Sequence, residues 1–91
     1  MSEQTSNREL PVSFSSFVVS MATSTMVSLG EGPAEAGPAA MNLELARNGI
    51  DLLGMLQDKT SGNLDDDEKR LLETLLYELR TKFVEKSKNP S

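Results

Sequence analysis

The fold is decided by TSGNLDDDEKRLLETLLYELRTKFV, residues 60–84. Asp65 followed three positions later by Glu68 is the reciprocal pattern of a helix capping box, in which each side chain accepts the other residue's backbone N–H. Leu64, just outside, is placed to act as a hydrophobic staple. From there Leu71, Leu72, Leu75, Leu76, Leu79, Phe83 and Val84 form a broad apolar face. Within it 72, 76, 79 and 83 advance by the alternating steps of four and three that keep a seam on one side of a helix. Asp65, Asp66, Asp67 and Glu68 at one pole and Arg80, Lys82, Lys86 and Lys88 towards the other match the helix dipole. The spacing predicts a helix over 65–86, with 87–91 as a disordered tail before and beyond Asn89-Pro90.

Upstream, Asn42 caps a second predicted helix over 42–60, in which Leu45, Ala46, Ile50, Leu52, Leu53 and Leu56 form a wide apolar stripe. The connection from Thr60 to Leu64 is so short that the two helices must form an antiparallel hairpin. Gly62 suits the left-handed conformation that closes a helix. Gly49 and Gly54 lie inside the second helix, where each costs about 0.5 to 1 kcal/mol relative to Ala. That cost points to close approach of a neighbouring backbone at those two positions.

Residues 30–41 are a Gly/Pro/Ala linker, long for a connection within a bundle. Before it, Leu10 to Gly30 carries no charge, and Phe14, Phe17, Val18, Met21, Ala22, Met26 and Leu29 recur mostly at helical spacing. A helix over 13–29 is expected, capped by Ser13, Ser15 or Ser16 and stopped by Gly30. Its other faces carry small hydroxyl residues, among them Ser16, Ser20, Thr23, Ser24 and Ser28, instead of Lys and Glu. A helix without a charged face is better suited to burial on several sides, most economically inside an oligomer.

Composition narrows the function. The 91-residue chain has no Cys and no His, which removes disulfides, thiolate and imidazole metal sites, thiol nucleophiles and every imidazole-based triad. Fourteen Asp and Glu against nine Lys and Arg leave it without the basic patch that nucleic-acid binding draws on, so no nucleic-acid partner is expected. Residues 1–9 lack the cationic start and apolar core of a secretory signal and read as a disordered tail, which makes the cytoplasm the expected compartment.

Three segments resemble a known family in the same order and at nearly the same spacing. They are LPVSFSSFVVSMATSTMVSLGE (10–31), LELARNGIDLLGMLQDKTSGNL (43–64) and EKRLLETLLYELR (68–80). The most specific pieces are Leu43-Glu44-Leu45-Ala46-Arg47, Met55-Leu56-Gln57 with Lys59-Thr60 and Gly62-Asn63-Leu64, and Leu75-Leu76-Tyr77-Glu78-Leu79-Arg80. Together they resemble the bacterial family catalogued as domain of unknown function 1844. The Ala/Pro-rich joint at 33–40 and Asn42, where the family pattern has Asp, depart from it, one in a loop and one in a cap. The resemblance implies a short helical bacterial cytoplasmic protein and supplies no activity.

Individual candidates have plain structural readings beside them. The acids at 65–68 offer oxygen ligands for a divalent cation, but the Gly and alternating ligands of a calcium loop are missing, and capping accounts for all four. Lys59-Thr60 lacks the glycines of a phosphate loop and lies at a helix end instead of a helix start. The uncharged 21 residues from Leu10 to Gly30 are nominally long enough to span a bilayer, but eight are Ser or Thr and the nearest flanking charges, Glu9 and Glu31, are acidic. Gln57, Tyr77 and Arg80 are polar groups on apolar helices, suited either to a recognition patch or to a hydrogen-bond network tying the hairpin together.

The sequence thus predicts an all-α protein, an antiparallel hairpin plus an N-terminal apolar helix in one domain over 10–86, oligomeric, with itself and another protein as partners. No catalytic residue, cofactor or metal ligand is assigned. The expected function is that of a non-catalytic interaction module, an adaptor or accessory subunit. Its contacts would be Phe14, Phe17, Met21, Met26, Leu76, Leu79 and Phe83, with Gln57, Tyr77 and Arg80 as a polar patch. A peripheral membrane protein attached through helix 13–29, and a subunit completing an enzyme site with a partner chain, are the alternatives.

Overall fold

The computed structural model describes residues 12–32 and 41–88. These form three helices and no strand: α1 (Phe14–Ser28), α2 (Leu43–Lys59) and α3 (Asp66–Lys88). The all-α architecture is the one expected. The tail at 1–9, the middle of the linker and the end of the chain from 89 lie outside the described residues.

Each helix starts where its cap predicts. At α1 the Ser16 N–H donates to Ser13 Oγ at 3.1 Å, and the Ser13 N–H returns the bond to Ser16 Oγ at 3.2 Å. Of the three serines proposed as the cap, Ser13 holds the position. At α2 the Leu45 N–H donates to Asn42 Oδ1 at 3.0 Å. At α3 the Glu68 N–H donates to Asp65 Oδ1 at 2.8 Å and the Asp65 N–H to Glu68 Oε1 at 3.0 Å, closing the capping box. The acidic run is thus used, in part, to satisfy the orphan donors of a helix start.

The C-terminus of α1 is a Schellman turn. The Glu31 N–H donates to Met26 O (2.8 Å) and the Gly30 N–H to Val27 O (2.9 Å), with Gly30 at φ +84°, which a side chain would strain. Gly62 also has a positive φ, +87°, but it sits one position beyond a helix-closing site, in a turn closed by the Asn63 N–H on Thr60 O at 2.8 Å. α3 runs to Lys88, two residues further than expected, so residues 87 and 88 are helical and not part of a disordered tail. Pro90 disfavours helix only at the residue before it, and nothing in Lys86-Ser87-Lys88 breaks one.

All three helices contact one another, so α1 packs onto the hairpin of its own chain. Val18, Ala22 and Leu29 meet Ala46, Ile50 and Leu53 of α2 and Leu72, Leu76 and Leu79 of α3 in one buried cluster. Phe14, Met21, Met26, Leu43, Leu56, Leu64, Leu75 and Phe83 pack around it, half-buried. The α1 side of this core is unusual, because Thr25 and Ser28 are buried there while Phe17 and Val19 of the same helix are exposed.

Gly49 explains the inversion. A Cβ at Gly49 would run into Thr25 Oγ1 and lie 3.3 Å from both Thr25 Cβ and Cγ2, so α1 approaches α2 closely enough to set Thr25 on the bare glycine. The Thr25 hydroxyl donates to Met21 O at 2.9 Å and is satisfied within its own helix. The backbone approach expected at the two helical glycines is not what the structure shows: side chains fill both places, Thr25 at Gly49 and the tip of Arg80, its Nη2 3.3 Å from the corresponding point, at Gly54.

Two long-range bonds fix α1 further. The Asn42 N–H donates to Ser28 O at 2.8 Å, joining the end of α1 to the start of α2. Lys86 Nζ lies 3.0 Å from Glu31 Oε2, tying the end of α1 to the last turns of α3.

Candidate functional site

The wide stripe of α2 divides in two. Ala46, Ile50 and Leu53 turn into the core, whereas Leu45 (57% exposed), Leu52 (40%) and Met55 (47%) face out. The sequence stripe merged them because positions 45 and 52 lie about 100° around the helix from the core-facing line, within the breadth that an apolar arc often takes. On the neighbouring helix Phe17 is 51% exposed.

These outward side chains meet. Phe17, Met21, Leu52, Met55 and Leu56 line an all-apolar hollow of about 240 Å³ between α1 and α2. That is smaller than the roughly 300 Å³ at which small-molecule pockets begin, and it suits one bulky side chain of a partner. Sharing Met21 and Leu52 with it, a second shallow groove continues past Ser24, Thr25, Ser28, Leu45, Asn48 and Gly49. The result is a continuous strip over two helices, apolar at Phe17, Met21, Leu52 and Met55 and mixed with hydroxyl and amide groups beyond them, and the exposed charges of α2 are of both signs: Glu44, Asp51 and Asp58 with Arg47 and Lys59.

The sequence-predicted contact residues fall into three groups. Phe17 and Met21 lie together in the strip. Phe14, Met26 and Phe83 are half-buried against the core. Leu76 and Leu79, 1% and 0% exposed, are inside the core of the chain itself and present no surface to a partner in this fold. Both lie on the strongest apolar seam of α3, and that seam is the one α3 uses against its own hairpin and α1. Leu45 and Leu52 are contacts that the sequence reading did not name; the signal was an apolar stripe too wide for one packing face.

Gln57, Tyr77 and Arg80 do come together. With Glu73, Leu76, Thr81, Val84 and Glu85 they line an open trough along α2 and α3. Tyr77 is 72% exposed and Val84 50%. No hydrogen bond joins the side chains of Gln57, Tyr77 and Arg80, so packing and not a polar network assembles the patch. Gly54 leaves room for the Arg80 guanidinium to lie over α2.

Beyond the end of α1, the carboxyl of Glu31 faces the basic last turns of α3. The hydrogen bond from Lys86, then the positive charges of Lys82 and Lys86, hold its carboxyl below the ordinary range. The described residues contain no group of three or more metal-binding side chains and no helix long and apolar enough to cross a membrane.

No curated protein and no solved structure matches the chain. A family model does, over residues 11–85, which takes in α1, α2 and all but the last three residues of α3. The chain belongs to the family described as Domain of unknown function (DUF1844).

Proposed function

We propose that the protein is a non-catalytic helical interaction module, a small adaptor or accessory subunit that associates with itself and covers an apolar surface of another protein. The observation that carries this reading is the strip of Phe17, Met21, Leu45, Leu52 and Met55. Single exposed apolar residues are ordinary, but a connected strip across two helices in so small a chain marks a surface meant to be covered. Its hollow favours an aromatic or branched aliphatic anchor from a partner helix.

The test is capture at native expression level by the wild type, by Phe17→Asp and by Met55→Asp, with circular dichroism confirming that both variants fold. A partner retained by the wild type and lost by both variants supports the reading. Retention by all three removes the strip from the account. Sedimentation with anionic and neutral vesicles runs in parallel, and a bound fraction abolished by Phe17→Asp would replace the protein partner with a membrane surface.

A further inference from the structure

We propose that the outer face of α3 pairs with the same face of a second copy of this chain, the two helices antiparallel about a twofold axis close to Tyr77. This rests on the self-association proposed above and gives it a surface separate from the α1–α2 strip.

Asp66, Arg70, Glu73, Tyr77, Arg80 and Val84 follow one another at steps of four, three, four, three and four, and all are exposed. That is the spacing of a helix-pairing seam. It is a different seam from Leu72, Leu76 and Leu79, which the chain buries itself. α3 thus carries one seam for its own core and a second, outward one that stays exposed, although Arg80 on it leans over α2 at Gly54.

The charges on the outward seam identify its occupant. Tyr77 is the midpoint of a helix running from Asp66 to Lys88. About that point the signs are opposed: acidic Asp66 mirrors basic Lys88, and acidic Glu73 falls beside basic Arg80. Arg70 falls against apolar Val84. An antiparallel second copy therefore meets opposite charge at both ends and in the middle, while a parallel copy sets like on like. A foreign helix of single sign would meet repulsion over half the seam. Antiparallel packing also opposes the helix dipoles. At the centre the two exposed tyrosines supply apolar contact, with exposed Val84 two turns away on each copy.

At 1.5 Å per residue, the 23 residues of α3 give a contact line of about 34 Å, which is short for a tight dimer, so micromolar protein is needed to populate it. Sedimentation equilibrium on the full chain is the assay. The wild type should dimerise and weaken as salt is raised. Glu73→Arg or Arg80→Glu alone should weaken the dimer by about tenfold, because each reversal acts at two symmetry-related places, and the double variant should recover to within about threefold of wild type. As the chain has no cysteine, Tyr77→Cys introduces a single thiol. A short bis-maleimide should link two such chains and should fail to link Thr23→Cys.

If the chain dimerises, is insensitive to the charge swap and does not cross-link through Tyr77→Cys, the α3 pairing is wrong while self-association stands. Loss of that dimer in Phe17→Asp would then assign it to the strip. A monomer at every concentration and salt overturns both.

Discussion

Replacing Gly49 by Ala separates two opposing effects whose sizes the structure makes calculable. In an ordinary exposed helix the change gains about 0.5 to 1 kcal/mol, since Ala loses less backbone freedom on folding. Here the new methyl would collide with Thr25 Oγ1 and sit 3.3 Å from Thr25 Cβ and Cγ2. Rotating Thr25 gives no escape, because its two branches exchange places and the hydroxyl leaves Met21 O. Relief requires α1 to move off α2, and overpacking of this kind costs about 1 to 3 kcal/mol. The net expectation is a loss of about 0.5 to 2 kcal/mol, read as a lower urea midpoint at unchanged slope by circular dichroism at fixed protein concentration. Thr25→Ala removes the two branches, so Gly49→Ala should cost at least about 1 kcal/mol less in that background than in wild type. A gain in stability from Gly49→Ala alone would refute the close crossing of α1 and α2.

Leu53→Ala, at a fully buried position facing α1 and α3, should cost about 2 to 5 kcal/mol in urea denaturation; a loss below about 1 kcal/mol would mean the core is not where it is described. Asp65→Ala breaks the capping box and should cost about 1 kcal/mol, and an unchanged midpoint would show that solvent caps α3 equally well. Glu31 should titrate below the ordinary carboxylate range by carbon-detected NMR, and Lys86→Met should bring it back towards 4.5. Its folded pKa is the lowered one, so the stability it contributes is fully present above its unfolded pKa and fades as pH falls through its folded value. A Glu31 carboxyl unmoved by Lys86→Met would remove the tie between α1 and α3.

What the sequence made legible was whatever is local. Asn42 and Asp65 fix two helix starts, and the serines at 13, 15 and 16 narrow a third to a few residues, because a cap is decided by a side chain and the N–H three residues on. Gly30 marks a stop for the same reason. The short connection from Thr60 made the hairpin inevitable. The facing of α1 was not legible, since its apolar and hydroxyl residues alternate with no charge to mark the outside. Only the partner position Gly49 shows why Thr25 goes in and Phe17 comes out. The same limit hid the Glu31–Lys86 pair, whose members are 55 residues apart in the chain. On α2 the stripe was read correctly as apolar, but two surfaces were folded into one, and the outward half is the better candidate site.

The central claim is that the strip of Phe17 and Met55 is covered by another protein when the chain is at work. Photocrosslinking in growing cells tests it most directly, with a photoreactive phenylalanine analogue placed in turn at Phe17, at Met55 and at exposed Thr23 on another side of α1. The account predicts the same heavier adduct from positions 17 and 55 and none from 23. Adducts from all three positions alike, or from none of them, would contradict it.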